Sequence, residues 1–157
     1  MHADLIAHFE EYAAYHRHPM NRLTHKIAIP LIVFHMVAML DWIPLWRLPL
    51  GFHLTAAHLV YVGVVAWYAS LDLRLARVMA IAYGVCFPLG WITPKLIVVL
   101  VAVFAWIIQL AGHVVWEKKQ PAFLKNIVQA FVGPLFFAAV LLGEWPLKSS
   151  GDPVTSA

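Results

Sequence analysis

Residues 95–117 read Lys-Leu-Ile-Val-Val-Leu-Val-Ala-Val-Phe-Ala-Trp-Ile-Ile-Gln-Leu-Ala-Gly-His-Val-Val-Trp-Glu. No charge interrupts the run between Lys95 and Glu117. As a helix rising 1.5 Å per residue, it is long enough for the roughly 30 Å hydrocarbon core of a bilayer. Its end differs from its body. Gln109, His113 and Glu117 recur at every fourth residue, so they form one polar stripe on an otherwise apolar helix. The pattern predicts a membrane-crossing helix with chemistry at one end.

Working outward, four more apolar segments cover about 25–46, 51–71, 74–92 and 124–143. The breaks are short: Leu48-Pro49-Leu50-Gly51, Ser70-Leu71-Asp72, Thr93-Pro94 and Lys118-Lys119-Gln120-Pro121. Short links imply antiparallel neighbours. Pro30, Pro88 and Pro134 fall inside segments, where membrane helices tolerate proline if neighbours satisfy the freed carbonyl. Upstream, Leu5, Phe9, Tyr12 and His16 recur at helical spacing, away from Asp4, Glu10 and Glu11. That predicts an amphipathic helix within residues 1–18, placed on the membrane surface. His18-Pro19 breaks it, and the proline suits the first turn of the next helix. The expectation is an all-α, polytopic helical membrane bundle with about five transmembrane helices plus the N-terminal amphipathic helix. It forms a single domain over 1–147, followed by a polar, disordered tail at 148–157.

Composition agrees. The chain is 62% hydrophobic and 12% charged, whereas a soluble domain carries roughly 25% charged residues. A net charge of +3 from scattered basic residues excludes a nucleic-acid binder and fits contact with membrane lipids. Cys86 is alone, so no intramolecular disulfide framework is possible. Residues 1–21 lack the apolar stretch of a cleavable signal peptide. HExxH, Walker, GxSxG and HxxHH-type patterns are absent, which argues against zincin, NTPase, esterase and desaturase chemistry.

Orientation follows from charge. With five crossings, Arg17, Arg22, Lys26, Arg74, Arg77, Lys118, Lys119 and Lys125 share one side, against Arg47, Lys95 and Lys148 on the other. The positive-inside rule puts the N-terminus in the cytoplasm. Trp42, Trp46, Trp91 and Trp145 then fall at the outer interface, with Asp41 and Glu144. The membrane is either a bacterial inner membrane or the endoplasmic reticulum.

Nine histidines are many for 157 residues. Two clusters concentrate the polar chemistry: Tyr15-His16-Arg17-His18-Pro19-Met20-Asn21 through His25, and Gln109 through Ala122. The topology brings both to the cytoplasmic ends of their helices. Asn21 and His25 share a helix face, and Gly112 beside His113 allows a neighbouring helix to approach closely. Imidazole suits iron, copper or zinc, and two or three histidines with a carboxylate can hold a divalent ion while leaving positions open. The alternative for each histidine is a place in the headgroup region. For Asn21 and Gln109 it is an interhelical hydrogen bond. His35 and His58 lie deeper and differ in depth by roughly 6 Å, which favours interhelical hydrogen bonds over pairing around a haem.

At these clusters the chain resembles the membrane 2-hydroxy fatty acid dioxygenases, a family long known only as a domain of unknown function. The family's early pattern is matched by Tyr15-His16, His18-Pro19-Met20-Asn21, His25 and Ala28-Ile29-Pro30. Its later pattern is matched by Gln109, Gly112-His113, Glu117-Lys118-Lys119 and Pro121-Ala122, with Gly133-Pro134 in the last segment. His18 departs from the family's usual asparagine. The resemblance implies an Fe(II)-dependent dioxygenase that takes a 2-hydroxy fatty acid and O2 and shortens the acid by one carbon. On that reading His16, His25 and His113 are the iron ligands, with His18 as a further candidate. Glu117 is a fourth ligand or orients His113, and Asn21 and Gln109 hydrogen-bond the ligands or the substrate. Arg17, Arg22, Lys26, Lys118 and Lys119 hold the carboxylate. The rivals are a non-enzymatic helical scaffold or carrier, whose polar stripe only joins helices, and a haem protein using His35 and His58.

Overall fold

The computed structural model describes residues 2–47, 49–51 and 53–146. The expected tail at 148–157 and Lys148 lie outside these residues. Among the described residues six α-helices follow in order: α1 Ala3–Ala14, α2 Pro19–Asp41, α3 Ala56–Leu71, α4 Leu73–Ile92, α5 Lys95–Ala111 and α6 Val128–Leu141. The architecture is all-α apart from a small hairpin, β1 Pro44–Arg47 with β2 His53–Thr55, paired antiparallel between α2 and α3.

Local signals set the helix bounds. The His18 ring accepts from the Met20 amide and caps α2, whose first residue is Pro19. The first long helix therefore starts earlier than expected and ends at Asp41. Pro44 restricts the residue before it to extended backbone, and the chain turns into the hairpin instead of remaining helical to residue 46. The Asp72 carboxylate caps α4 through the Arg74 and Leu75 amides. Gly90 lets α4 close on α2, because a Cβ there would stand 3.0 Å from that of Ala38.

Helices α2, α4 and the continuous run Lys95–Glu117 are long and apolar enough to cross a membrane; α3 and α6 are shorter. Their outer faces expose large apolar side chains such as Ile81, Ile92, Leu96, Leu100 and Ile107, the surface a bilayer would cover. At the hairpin end, Trp91 Nε1 donates to Asp41 at 2.7 Å, and the Lys95 ammonium lies 5.3 Å from the centre of the Trp42 ring.

Helices α1 and α6 pack together at the N-terminal end of the bundle. The amphipathic helix α1 carries its apolar stripe into the core. Leu5, Phe9 and Tyr12 are buried in the main apolar core with Val132, Leu135, Phe136 and Phe137 of α6. Helix α6, read as a fifth crossing, has both ends at the N-terminal end of the bundle. Gln129 near its start donates to Glu11 at 2.6 Å. Beyond its last turn, Glu144 pairs with Arg74 at 2.8 Å and Trp145 meets the Phe9 ring edge-on at 5.4 Å. Five crossings would put Arg74 and Glu144 on opposite membrane faces. Their contact puts Glu144 and Trp145 on the side of α1, away from Trp42 and Trp91 at the hairpin end. Hydropathy cannot see this, because an apolar helix packed across a bundle end is composed like one that crosses.

Candidate metal centre

Three structural devices bring the two histidine clusters together. The first is the fourfold spacing on α2, which puts Asn21 and His25 one turn apart on its inner face, both fully buried. The second is Gly112. A Cβ on it would stand 2.5 Å from Asn21 Oδ1 and would also collide with Thr24 Oγ1, so only glycine lets this backbone lie on α2. The third is a π-helical turn, Gly112–Glu117, that continues α5. Such widened turns recur at functional sites because they re-aim side chains. The turn ends at Lys118, which is left-handed at φ 53°, and the Lys119 amide donates back to the His113 carbonyl at 3.2 Å.

His16, His25 and His113 result in one cluster, all buried, with a ligating nitrogen from each lying within 4.8 Å of the others. The ring centres form a near-equilateral triangle of 4.6, 4.7 and 4.9 Å. Their tautomers are set from behind. His16 Nδ1–H donates to the Tyr12 carbonyl at 2.7 Å, and His25 Nδ1–H to the Asn21 carbonyl at 2.8 Å. A carbonyl only accepts, so each Nδ1 carries the proton and each Nε2 presents a lone pair. Tyr12 stacks flat on His16, with ring centres 3.9 Å apart. Burial lowers the His16 pKa to about 4, which keeps its ring neutral.

This donor set fits a transition metal. Nitrogens at about 2.1 Å from one ion are about 3.0 Å apart at a right angle and about 3.4 Å apart at a tetrahedral angle. His25 Nε2 and His113 Nε2 are 3.0 Å apart. His16 Nε2 and His113 Nδ1 are buried without any hydrogen-bond partner. A purely structural histidine cluster would be expected to satisfy such atoms. The Gln109 amide also points into the cluster, its nitrogen 2.7 Å from His25 Nε2 and its oxygen without a partner.

Other candidates take different roles. His18 caps α2 and is not in the cluster. Glu117, expected as a ligand or as a support for His113, bonds the link between α1 and α2 in this structure. Its carboxylate accepts from the Arg17 amide at 3.1 Å, the His18 amide at 2.9 Å and Asn21 Nδ2 at 3.1 Å. It thereby fastens the end of the π turn to the chain just after His16 and to the start of α2. Arg17 and Lys119 line a recess of about 540 Å³ beside Tyr15, joined by Lys125, whose ammonium lies 5.8 Å from the Tyr15 ring centre. Arg22, Lys26 and Lys118 are exposed and line neither this recess nor the cavity described next. His35 Nδ1 donates to its own helix at Leu31, while His58 bonds Thr55 and stands 3.8 Å from Asp41 at the hairpin end. The two belong to separate networks and form no haem pair.

An apolar cavity of about 380 Å³ opens from the histidine cluster. His16, Gln109 and His113 line one end with Tyr12 and Gln129; Val33, Val37 and Leu40 of α2 face Ala57 and Val60 of α3 along the rest. Gln129 is 2% exposed, and its amide oxygen has no partner. Tyr12 and Gln129 are the polar residues that sequence reasoning missed. Tyr12 reads as part of an apolar stripe, and Gln129 as one polar residue in an apolar segment. Tyr12 reaches His16 from four residues upstream, whereas Gln129 is brought to the cavity by the packing of α6 against α1.

Fold and site together define a helical, membrane-type protein with a buried trihistidine centre at the mouth of an apolar cavity. The chain belongs to the Mpo1-like family, described as 2-hydroxy-palmitic acid dioxygenase Mpo1-like, whose model matches residues 2–145. It is 29% identical to the 2-hydroxy-palmitic acid dioxygenase MPO1 of Saccharomyces cerevisiae over 148 residues, covering 85% of this chain and 76% of the relative. No solved structure matches the chain.

Proposed function

We propose that this protein is an iron(II)-dependent dioxygenase that shortens 2-hydroxy fatty acids by one carbon. The observation that carries the proposal is the buried cluster of His16, His25 and His113, with a ring nitrogen from each within 4.8 Å of the others, at the polar end of an otherwise apolar cavity. The family match and the named activity of the yeast relative support the same reading.

The reaction balances without a co-substrate. A 2-hydroxy acid and O2 give the acid one carbon shorter, carbon dioxide and water. The C1–C2 bond breaks, and the four electrons lost by those two carbons reduce O2. His16, His25 and His113 would hold the iron(II), which would supply the redox chemistry when bound. The residues do the rest. Tyr12 and Asn21 carbonyls fix the two tautomers. The Gln109 and Gln129 amide oxygens are acceptors for the substrate's 2-hydroxyl proton. Arg17, Lys119 and Lys125 attract the carboxylate to the site's face, whereas Arg22, Lys26 and Lys118 serve lipid headgroups. The apolar walls take the acyl tail and exclude water. The site lies toward the cytoplasmic face.

Oxygen uptake with 2-hydroxypalmitate, with and without added iron(II), tests this in wild type and His113→Ala. Uptake should require iron and fall at least about a hundredfold in the variant, as for loss of a ligand or its support. Wild-type uptake no greater than the variant's would refute it.

A further inference from the structure

The far end of the apolar cavity is as well defined as its histidine end. Leu40 is the last cavity residue on α2, and Ala57, 2% exposed, is the first on α3. Immediately beyond them the chain becomes polar and tied. Thr55 Oγ1 donates to Asp41 Oδ1 at 2.7 Å, the Thr55 amide donates to His58 Nδ1 at 3.3 Å, and Trp91 Nε1 reaches the other Asp41 oxygen at 2.7 Å. This network joins the end of α2, the start of α3 and the end of α4. A hydrocarbon tip pushed past Ala57 would have to part these bonds and desolvate their groups. The cavity is therefore apolar along its length and stoppered by a hydrogen-bonded floor.

We propose that this floor, with Leu40 and Ala57 as its apolar face, is a ruler that sets the acyl chain length. The proposal rests on the dioxygenase reading for what enters the cavity. Its length follows from α2. His25 is level with the metal centre and Leu40 with the floor, so fifteen residues give a depth of about 22 Å. An extended acyl chain advances about 1.25 Å per carbon, from a 1.5 Å bond and a near-tetrahedral angle. With the carboxylate and C2 at the histidines, the cavity accommodates about sixteen to eighteen carbons. Chains well short of that leave the floor unfilled and lose apolar contact with each missing methylene. Longer ones meet the polar stopper.

The test is a saturated series from 2-hydroxydecanoate to 2-hydroxyeicosanoate, read as oxygen uptake and, separately, as displacement of a fluorescent fatty acid from iron-free protein. The variants are Ala57→Phe, Leu40→Ala and, as a lipid-facing control on α3, Val62→Phe. A phenylalanine ring reaches about 5 Å past an alanine methyl, or about four carbons. Both optima should shorten by that much in Ala57→Phe, lengthen in Leu40→Ala and stay in place in Val62→Phe. Leu40→Ala adds no bulk, so it reads the ruler even if Ala57→Phe does not fold. Optima that coincide across wild type, Ala57→Phe and Leu40→Ala would overturn the ruler. Displacement optima that shift while no chain supports oxygen uptake would overturn the dioxygenase reading and leave the ruler as a property of a fatty-acid-binding cavity.

Discussion

Replacing Gly112 by alanine should separate the two halves of the metal centre with little loss of the fold. The new methyl would stand 2.5 Å from Asn21 Oδ1, and an unstrained contact needs about 3.4 Å or more. Asn21 is fully buried and held by Glu117 through Nδ2, so the π turn rather than this side chain is expected to yield, by about 0.9 Å. Carried along the turn, that shift opens the 3.0 Å gap between His25 Nε2 and His113 Nε2 to about 3.9 Å. Two nitrogens sharing one ion at about 2.1 Å stand no more than about 3.4 Å apart at the tetrahedral angle. Iron(II) affinity should therefore drop about tenfold to a hundredfold, or about 1.4–2.7 kcal/mol. The effect on the metal-free protein is smaller, because alanine favours a helical turn over glycine by about 1 kcal/mol and offsets part of the overpacking. The assay is anaerobic iron(II) titration of detergent-solubilised protein, with thermal unfolding followed with and without metal. Wild-type affinity in Gly112→Ala would refute the claim that glycine at this crossing holds the histidines within ligating distance.

Glu117→Gln removes the charge that fastens the Arg17 and His18 amides but touches no ligand; it should weaken iron(II) binding about tenfold while leaving the number of ions bound unchanged. Loss of the bound ion altogether would instead make Glu117 a ligand. Phe9→Ala empties a fully buried position between Phe136 and Trp145 and should cost about 3–5 kcal/mol, measured by denaturant unfolding in micelles; a neutral result would mean that α1 is only a surface helix. In a Cys86→Ser background, Asp4→Cys and Leu142→Cys should react with an impermeant thiol reagent from one side of the membrane and Trp46→Cys from the other. Labelling of Leu142→Cys together with Trp46→Cys would restore α6 as a crossing helix.

Much of this protein is legible in one dimension because its strongest signals are periodic and local. Helix-length apolar runs require a bilayer or a buried core. The fourfold spacing of Gln109, His113 and Glu117 puts them on one face whatever packs against it, and Pro19 after His18 marks a helix start. The resemblance in two short motifs pointed to the family that the match over residues 2–145 then established. Three ligand candidates, His16, His25 and His113, were likewise readable as residue types at the right ends of their segments, though not as a triangle.

What the tertiary structure decided concerns contacts between distant segments. Glu117 has the composition of a ligand, and only its distances to the Arg17 and His18 amides make it a clasp. Helix α6 has the hydropathy of a crossing, and only the pairing of Glu144 with Arg74 returns its end to the side it came from. Tyr12, Gln129, Ala57 and Leu40 carry no motif, yet they bound the cavity, because a cavity is defined by what faces across it. Sequence periodicity fixes which face a residue occupies on its own helix; which other helix meets that face depends on packing, and here on the missing side chain at Gly112.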